Sequence, residues 1–417
     1  MADPGLAGVG DARVAWAARQ MPVLARVRER FAAERPLDGL TIGLCLHVTA
    51  ETANLVRALR DGGATVAICA ANPLSTQDDA AAVLVAHDGV EVHAVHGEDA
   101  ARYAAHVGAL VAHGPDITLD DGADLISVLH EARPDHVATM IGATEETTTG
   151  LVRLRAMEAD GRLACPVMAV NEARTERAFN DRYGTGQSTV DGILRATNVL
   201  LAGAVVVVVG YGWTGTGIAR SAHGLGANVI VCEVDPIRAL EARMAGFEVC
   251  SSLEAAARGD IFITVTGGTG VLTGKHFERM KDGAILANAG HFDVEIDLAA
   301  LAALATARRE VRPLVEEFDL GGRRLNLLAR GRVVNLASAE GHPSAVMDLS
   351  FATQALAVEE LVRRHGQLGP GVHPVPAAVD REVARLKLDA LGVEIDELTA
   401  EQAAYARAWV PAPHEDA

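Results

Sequence analysis

Lysine is almost absent from this sequence. It occurs only at Lys275, Lys281 and Lys387, whereas arginine is abundant. A lysine side chain can take up a proton when it is neutral and can stabilise a nearby oxyanion when it is charged. Because no lysine precedes residue 275, a reaction centre in the first two thirds of the chain must use other residues for both tasks.

Cysteine pairs, long apolar runs and net positive charge are lacking as well. The five cysteines are scattered and never in CxxC spacing: Cys45, Cys69, Cys165, Cys232 and Cys250. They indicate a cytoplasmic protein with reduced cysteines and no metal site. The longest apolar run, near 200–209, has about half the roughly 20 residues of a membrane span, and the first ten residues lack a signal-peptide pattern. The net charge of -18 argues against nucleic acid or an anionic membrane as partner.

The sequence does contain a repeated alternation of apolar and amphipathic segments. At 417 residues it predicts two domains. Buried strands are predicted at 41–48, 64–72, 90–95 and 136–143, with helices between them. A second series begins at 204–212. The pattern predicts an α/β fold with mostly parallel sheets, divided at a Gly/Ser-containing turn near 184–192.

The stretch VVVVVGYGWTGTG is the strongest local motif. Gly210, Gly212 and Gly215 stand in GxGxxG spacing between a predicted strand and a predicted helix, the context in which glycines let a backbone approach a pyrophosphate. Glu233 ends the next predicted strand, where an acid binds ribose hydroxyls and repels a 2′-phosphate. The motif predicts NAD rather than NADP as cofactor. The alternative is a glycine turn with a helix-capping acid.

A series of further motifs resembles the S-adenosylhomocysteine hydrolase family along nearly the whole chain. These motifs are LHVTAETA (46–53), NPLSTQDDAAA (72–82), LDDGAD (119–124), EETTTG (145–150), ANAGHFDVEID (287–297), GRVVNLASAEGHPSAVM (331–347) and VARLKLDALGV (383–393). The resemblance implies two doubly wound Rossmann-like domains and a short C-terminal tail. It assigns 1–184 and 344–392 to a substrate domain, 185–343 to an NAD-binding domain and 393–417 to the tail.

The resemblance also implies a redox-neutral reaction on an adenine nucleoside in a homo-oligomer, a dimer or a tetramer. Bound NAD+ oxidises the 3′-hydroxyl to a ketone, and the ketone acidifies the C4′ proton so that a base can remove it. The 5′ substituent is then expelled. In the family, water adds to the resulting 4′,5′-enone before the ketone is reduced.

Roles for individual residues follow from the same resemblance. Groups at the reacting sugar are implied for His47, Asp121, Glu146 and His291. Substrate contacts are implied for Thr49, Glu51, Asp181, His342 and Met347. Besides the glycines and Glu233, cofactor contacts are implied for Thr147, Thr148, Thr149, Asn288 and Asn335. Each has a simpler alternative, because a lone histidine is more often structural and three threonines can merely cap a helix.

The stretch NEARTERAFNDRYG (171–184) departs from the family. There the family has a lysine and an aspartate, at i and i+4, facing the 3′-hydroxyl. This chain has Glu176 and Asn180 instead, which we predict to be catalytic replacements. A glutamate can act as a base, but its charge opposes a 3′-enolate unless it is protonated or offset by arginine.

Three smaller departures accompany this one. Trp213 and Thr216 stand where the family usually has Asp and Lys beside the glycine turn. The ending RAWVPAPHEDA has neither the Lys nor the Tyr of the family tail that reaches the NAD of a neighbouring protomer. Glu340 introduces an acid near the adenine or the 5′ side, where the family tends to be apolar.

Three functions remain open at this point. The first is a nucleoside 5′-dehydratase or lyase, of the kind used in nucleoside antibiotic biosynthesis, that leaves a 4′,5′-unsaturated product. The second is an ordinary S-adenosylhomocysteine hydrolase that tolerates the replacements. The third is a non-catalytic NAD-binding regulatory homologue. Loss of the Lys/Asp pair argues against the second, and retention of His47, Asp121, Glu146 and His291 argues against the third, so we favour the first.

Overall fold

The computed structural model describes residues 3–407, in which two sheets are each covered by helices. The predicted α/β class with two doubly wound, Rossmann-like halves is confirmed. Within these residues, no helix combines the length and the apolar character needed to cross a membrane.

The first sheet has seven parallel strands. They are β1 (Thr41–Leu46), β2 (Thr65–Ala70), β3 (Glu91–His93), β4 (Ile117–Asp120), β5 (Gly142–Glu145), β6 (Pro166–Ala169) and β15 (Gly371–Pro374). Their order across the sheet is β15-β6-β5-β4-β1-β2-β3. The central strands are almost entirely buried, as expected for a parallel sheet with helices on both faces.

Ten helices accompany this sheet. They are α1 (Ala7–Ala18), α2 (Pro22–Glu34), α3 (Ala50–Asp61), α4 (Asp78–Ala86), α5 (Ala100–His113), α6 (Asp124–Ala132), α7 (Pro134–Val137), α8 (Thr148–Ala159), α16 (Ser344–Arg363) and α17 (Ala377–Ala390). The strand predicted at 136–143 is wrong in its first part, because Pro134 at the first helical position and Asp135 in the first turn start α7. The strand itself begins at Gly142.

The second sheet has eight strands. They are β7 (Val205–Val209), β8 (Asn228–Cys232), β9 (Glu248–Val249), β10 (Ile261–Thr264), β11 (Ala284–Asn288), β12 (Ala307–Arg312), β13 (Val315–Asp319) and β14 (Arg324–Leu328). Their order is β12-β13-β14-β11-β10-β7-β8-β9, in which the β12–β13–β14 edge is antiparallel and the rest is parallel.

The remaining helices belong mainly to the second half. They are α9 (Thr185–Thr197), α10 (Trp213–Gly224), α11 (Pro236–Met244), α12 (Ser252–Ala256), α13 (Gly274–Phe277), α14 (Leu298–Leu304), α15 (Val334–Ala337) and α18 (Ala400–Tyr405). Residues 176–184 form a π-helical segment that runs directly into α9.

The turn predicted near 184–192 is wrong, because this stretch is helix. Its glycines serve packing instead of a turn. A Cβ at Gly186 would lie 2.7 Å from the Gly217 carbonyl carbon, and one at Gly192 would lie 2.7 Å from the Val334 carbonyl oxygen. The predicted domain boundaries stay a prediction. The strands of the first sheet lie in 41–169 and 371–374, and those of the second in 205–328.

The strand order reverses at one point in each sheet. The first sheet reverses at β1, which lies between β2 and β4, and the second reverses at β7, which lies between β8 and β10. Loops that leave the carboxyl ends of strands at such a reversal open a crevice that α/β proteins use for ligands. His47 follows β1, and Gly210 follows β7.

Candidate functional site

A cavity of about 1360 Å³ joins the strand ends of the first sheet to the glycine turn of the second. The predicted site residues that line it are His47, Thr49, Glu51, Asp121, Glu146, Thr147, Thr148, Thr149, Asn180, Asp181, Gly210, Gly212, Glu233, His291, Asn335, His342 and Met347. Three predicted residues lie behind its wall: Glu176, Gly215 and Asn288. The crevice therefore brings together residues from both halves of the chain.

His47 and Asp121 form the polar pair at the end of β1 and β4. His47 Nε2 lies 3.3 Å from Asp121 Oδ2. The Ser75 hydroxyl donates to the Asn72 carbonyl, at 2.8 Å, so its oxygen accepts the hydrogen bond from His47 Nδ1, at 2.6 Å. This fixes one proton on Nδ1 and leaves Nε2 to exchange a proton with a ligand. The Asp121 Oδ1 atom is buried and has no hydrogen-bond partner within residues 3–407.

His291 reaches this pair from the second sheet. A Cβ at Gly122, where φ is +107°, would lie 3.3 Å from His291 Nε2. A side chain at position 122 would therefore push the histidine away from the Asp121 loop. Burial lowers the pKa of His291, and the charge of Asp121 partly opposes this effect. The lowered pKa favours the neutral imidazole of His291, which lines the cavity.

Glu146 follows β5 and is held from behind by helix α16. It accepts hydrogen bonds from the Ser350 hydroxyl and the Gln354 side-chain amide. Full burial raises the pKa of Glu146 to about 8, and the charges of Asp121 and Asp181 act in the same direction. The carboxyl can therefore hold a proton near neutral pH, which makes it able to donate to a sugar oxygen as well as accept from one.

Glu176 and Asn180 contact each other, as their spacing predicts. Asn180 Nδ2 donates to Glu176 Oε1, whereas Glu176 Oε2 and Asn180 Oδ1 are buried without a partner among the described residues. Glu176 is fully buried, and only Asn180 reaches the cavity surface. Burial raises the pKa of Glu176 well above 4.5, and the charge of Glu146 adds to this shift. Glu176 does not line the cavity itself and is connected to it through its hydrogen bond with Asn180.

Asp181 lies on the neighbouring side of the same segment. Its Oδ2 is 3.8 Å from Arg177 Nη1, at the predicted i,i+4 spacing. Burial raises the pKa of Asp181 to about 6, and Arg177 offsets part of that shift. Together with Asp121, Glu146 and Glu176, this residue forms a carboxyl cluster at the side of the cavity where the resemblance implies the sugar. Burial favours the protonated forms of Glu146, Glu176 and Asp181, whereas a lysine at position 176 would have supplied a positive charge.

The predicted adenine side is formed by residues of α3 and α16 and by the loop before α16. Glu51 Oε1 accepts from the Ser344 hydroxyl at 2.5 Å, which leaves its second oxygen for a ligand. His342 Nε2 lies 3.0 Å from Thr185 Oγ1. Full burial lowers the pKa of His342 to about 4, so it is a neutral hydrogen-bonding group. Thr49 and Met347 complete this end of the cavity.

The glycine turn after β7 fits a dinucleotide. Gly210 has φ of +107°, and a Cβ at Gly215 would lie 2.0 Å from the Gly210 carbonyl oxygen, so both positions require glycine. Near Gly212 a Cβ would meet only the end of Arg238, at 3.4 Å, which keeps the backbone open to the cavity. Glu233 faces the same space and accepts from the backbone N–H groups of Tyr211 and Val234, both at 2.6 Å.

Asn335 and Asn288 differ in what they can offer a cofactor. Asn335 donates to Ser188 Oγ at 3.1 Å, and its Oδ1 is a buried atom without a partner in 3–407, next to the cavity. It fits the predicted contact to an amide. Asn288 instead donates to the carbonyls of Gly290, Phe292 and Gly331, so it shapes the loop that carries His291.

The threonine run serves the fold as well as the cavity. Thr147 Oγ1 caps α8 by accepting from the Gly150 N–H at 3.0 Å, and it donates to Glu145 at 2.7 Å. Thr148 donates to Asn171 Oδ1 at 2.8 Å. The simpler alternative of helix capping thus holds for Thr147, although all three threonines also line the cavity.

Two of the smaller departures from the family, Trp213 and Glu340, lie close to arginine side chains. The Arg182 guanidinium lies 4.8 Å from the centre of the Trp213 ring, and the Thr216 hydroxyl turns back to the Gly212 carbonyl. Glu340 lies at the cavity rim, 3.5 Å from Arg13 and 3.7 Å from Arg195. Most of the predicted tail difference, from residue 408 onward, lies outside the described residues.

Sequence reasoning missed the second layer of the site. Ser75 orients His47, and the α16 pair Ser350 and Gln354 holds Glu146. The α16 pair carries a signal that could have found it. Ser350 and Gln354 are two of six buried polar residues on a helix that is mostly apolar, and buried polar groups need a partner.

Comparisons with known proteins agree with this architecture. The profile described as "S-adenosyl-L-homocysteine hydrolase" matches residues 1–138, and that described as "S-adenosyl-L-homocysteine hydrolase, NAD binding domain" matches 181–341. An adenosylhomocysteinase of Aquifex aeolicus is 56% identical over 408 residues, which cover 98% of each chain. An S-inosyl-L-homocysteine hydrolase of Methanopyrus kandleri is 54% identical over 409 residues, covering 98% of this chain and 96% of the relative.

A solved structure resembles the fold at low identity. A dipicolinate synthase from Bacillus halodurans aligns with a TM-score of 0.50 and 14% identity, over 78% of this chain and 99% of that chain. At this identity the likeness concerns the fold alone.

Proposed function

The chain belongs to the S-adenosyl-L-homocysteine hydrolase family, and on that premise we propose that it is a nucleoside 5′-dehydratase of this family. Its substrate is an adenine nucleoside, and its product carries a double bond between C4′ and C5′. The family is an enzyme family, and NAD is its cofactor. Dehydration as the outcome, and a role in nucleoside antibiotic biosynthesis, go beyond what membership of the family establishes.

The cofactor site supports a bound NAD at the crevice between the sheets. Gly210, Gly212 and Gly215 would hold the pyrophosphate, Glu233 the adenosine ribose and Asn335 the carboxamide. When bound, NAD+ supplies a hydride acceptor for C3′ and returns the hydride at the end of the cycle. The protein's own groups must therefore move protons at the 3′-oxygen, at C4′ and at the 5′-oxygen.

The His47–Asp121 pair supports elimination of a poor leaving group. We assign removal of the C4′ proton to Asp121, whose buried Oδ1 has no hydrogen-bond partner among the described residues. His47, with one proton fixed on Nδ1 by Ser75, can carry a second on Nε2 to the departing 5′-oxygen. Hydroxide is a poor leaving group whose departure is faster when an acid protonates it, so this paired base and acid suits the loss of water.

The observation that carries the proposal is the fully buried Glu176, joined to Asn180 and close to Glu146. The family motif has a cation at this position. A protonated Glu176 supports Asn180 and Glu146 as neutral hydrogen-bonding groups around the 3′-oxygen. Because Glu176 supplies no cation where the family motif has a lysine, we expect acid at the other end of the sugar to assist expulsion of the 5′ group.

The proposed reaction balances without a net oxidant. A hydride leaves C3′ and a proton leaves its oxygen, which gives the ketone. A proton then leaves C4′, the C4′–C5′ double bond forms, and the C5′–O bond breaks with release of water. Return of the hydride and a proton restores the 3′-hydroxyl. Net dehydration results when this reduction precedes addition of water.

Hydrolysis of a nucleoside thioether is the second candidate, and overall similarity favours it. Curated relatives named adenosylhomocysteinase or S-inosyl-L-homocysteine hydrolase are 53–56% identical over 96–98% of this chain. In this alternative, water adds to the enone at C5′ and a thiol is the leaving group. The carboxyl cluster is the local feature that makes us prefer dehydration. A purely regulatory role is disfavoured because His47, Asp121 and His291 are assembled around one cavity.

Solvent exchange at C4′ tests the shared part of both candidates. NAD-loaded protein is incubated in deuterated water with adenine nucleosides that carry a free 5′-hydroxyl, and the nucleosides are analysed by mass spectrometry and NMR. We expect deuterium at C4′ of recovered substrate and a product lighter by one water. Absence of exchange with every nucleoside and thioether tested would exclude the oxidation–elimination cycle. We also propose a cytoplasmic homo-oligomer; the free cysteines support the cytoplasmic location.

A further inference from the structure

We propose that the edge of the first sheet carries a binding site for a divalent transition metal ion such as Zn²⁺, formed by Glu91, His93 and His113. Glu91 and His93 lie on the edge strand β3, two residues apart and on one face. His113 is the last residue of α5, which packs beside that strand. None of the three belongs to the cavity described above.

The ligand atoms of the three side chains converge. Glu91 Oε1 lies 2.7 Å from His93 Nε2 and 3.1 Å from His113 Nε2, and the three ligand atoms lie within 4.8 Å of one another. In a tetrahedral zinc site with metal–ligand bonds of about 2.0–2.1 Å, ligand atoms are roughly 3.3 Å apart. Small side-chain rotations therefore suffice to close the set around one ion.

The donor set selects the class of ion. Two imidazole nitrogens and one carboxylate oxygen suit zinc, copper or nickel, whereas magnesium and calcium prefer oxygen ligands alone. Glu91 supplies a negative charge, and its side chain is half exposed, so an ion can reach it from solvent. Three protein ligands leave a fourth position for water or a further group.

A second histidine–carboxylate pair lies behind this set. The His106 ring centre lies 5.9 Å from that of His93. His106 Nδ1 lies 2.7 Å from Glu98 Oε2, and the Glu98 side chain is fully shielded from solvent. None of these Glu98 and His106 atoms has an aligned hydrogen-bond partner among residues 3–407. This polar pair packs against His93 and helps to fix the orientation of its imidazole beside the solvent-exposed ligand set.

The sequence predicts no metal site because its cysteines lack the paired spacing of zinc ligands. The histidine ligands come from separate elements, 20 positions apart, so no short motif marks them. The role that this position permits is structural. An ion would join the edge strand β3 to the end of α5, and it would cover an edge that otherwise ends the sheet.

Isothermal titration of the chelator-stripped, NAD-loaded full chain with zinc chloride tests the proposal. We expect one zinc per chain in the wild type and at least a tenfold weaker site in the Glu91→Gln/His113→Gln variant. The matched control is His87→Gln, which breaks an exposed His87–Asp11 pair of 2.8 Å that lacks a second imidazole. This control should bind zinc like the wild type.

Thermal unfolding gives a second readout on the same proteins. Zinc should raise the unfolding temperature of the wild type and of His87→Gln, because a ligand of the native state stabilises it. It should not raise that of Glu91→Gln/His113→Gln, whose unfolding temperature without zinc shows that the variant is folded. Equal zinc affinity in the double variant and the wild type, or no zinc binding by the wild type, would overturn the proposal.

Discussion

Glu176 accepts a hydrogen bond from the side-chain amide of Asn180, one turn further along the π-helical segment 176–184. The family motif has a lysine and an aspartate at the same two positions. In this chain the two positions contact each other, and a buried carboxyl stands where the resemblance implies a cation. The four-residue spacing brings Glu176 and Asn180 together, and burial raises the pKa of Glu176.

The buried carboxyls predict how stability depends on pH. Burial raises the pKa of Glu146 from 4.5 to about 8 and raises that of Glu176 as well. Their protonated forms are favoured in the folded state, so this contribution is fully present below pH 4.5 and is lost as the pH rises towards 8. For each proton the slope is about 1.4 kcal/mol per pH unit. We expect Glu176→Gln to flatten this fall in the free energy of unfolding.

Denaturant titrations of the ligand-free protein between pH 5 and 8 measure this effect. This range lies between the pKa of 4.5 for an unperturbed glutamate and the pKa of about 8 for the buried Glu146. Glu172→Gln is the control, since Glu172 is on the same stretch but is paired with Arg155, which lowers its pKa. That variant should keep the slope of the wild type. An unchanged slope in Glu176→Gln would mean that Glu176 is ionised in the folded protein.

Restoring the family pair should change the reaction. In Glu176→Lys/Asn180→Asp the new ammonium would lie among Glu146 and Asp181, which can balance its charge. We expect thioether hydrolysis to appear or rise at least tenfold, with a stability loss within about 3 kcal/mol. Gln187→Lys adds an exposed lysine on α9, away from the cavity, and should leave the reaction unchanged. If the double variant catalyses the same reaction as the wild type, residues 176 and 180 do not decide between hydrolysis and dehydration.

Removing the base should separate oxidation from elimination. In Asp121→Asn the side chain keeps its size beside His47 but loses its basicity. We expect elimination to fall by about 10²–10⁴-fold while NAD binding is retained. Stopped-flow absorbance should still show NADH formation, because oxidation at C3′ precedes the C4′ step. Loss of both signals would instead place Asp121 in substrate binding.

The nucleobase preference depends on Glu51. Its free carboxylate oxygen is expected to accept from the exocyclic amine of adenine, since Ser344 occupies the other oxygen. A hypoxanthine base lacks that amine and leaves the carboxylate unpaired, which costs about 1–3 kcal/mol, or roughly 10–100-fold in affinity. Calorimetric titration of NAD-loaded protein with adenosine and inosine measures this difference. Equal affinities would place this chain with the relatives named for an inosyl substrate.

The cofactor preference depends on Glu233. Its carboxylate is fixed by backbone N–H groups at the cavity, where it would repel a 2′-phosphate. NAD at 100 times its dissociation constant should stabilise the protein by about 2.7 kcal/mol, and NADP should stabilise it far less. Equal thermal shifts would contradict the assignment.

The fold was predictable because its signals are local. The five-valine run and the glycine spacing predict β7, the turn and α10, and each of these is present. The strand predicted at 136–143 failed because Pro134 competes with an apolar run, and the turn predicted near 184–192 failed because Gly186 and Gly192 are needed for close packing. Composition cannot distinguish a packing glycine from a turn glycine.

The site was predictable as a set of residues but not as a set of protonation states. Spacing predicts that Glu176 and Asn180 share a face, and they do. Glu176 lies behind the cavity wall because it is buried beside Ser350 and Glu146. Ser350 belongs to α16, which begins nearly 170 positions further along the chain. Long-range packing of this kind sets the pKa values and leaves no trace in a local motif.

Release of homocysteine from S-adenosylhomocysteine tests the central claim most directly. NAD-loaded protein is assayed beside the adenosylhomocysteinase of Aquifex aeolicus with a thiol reagent, and adenine nucleosides are analysed in parallel by mass spectrometry. We predict no homocysteine release above background by this chain, and an unsaturated nucleoside lighter by one water from a substrate with a free 5′-hydroxyl. Homocysteine release at the rate of the relative, without any dehydrated nucleoside, would contradict the account.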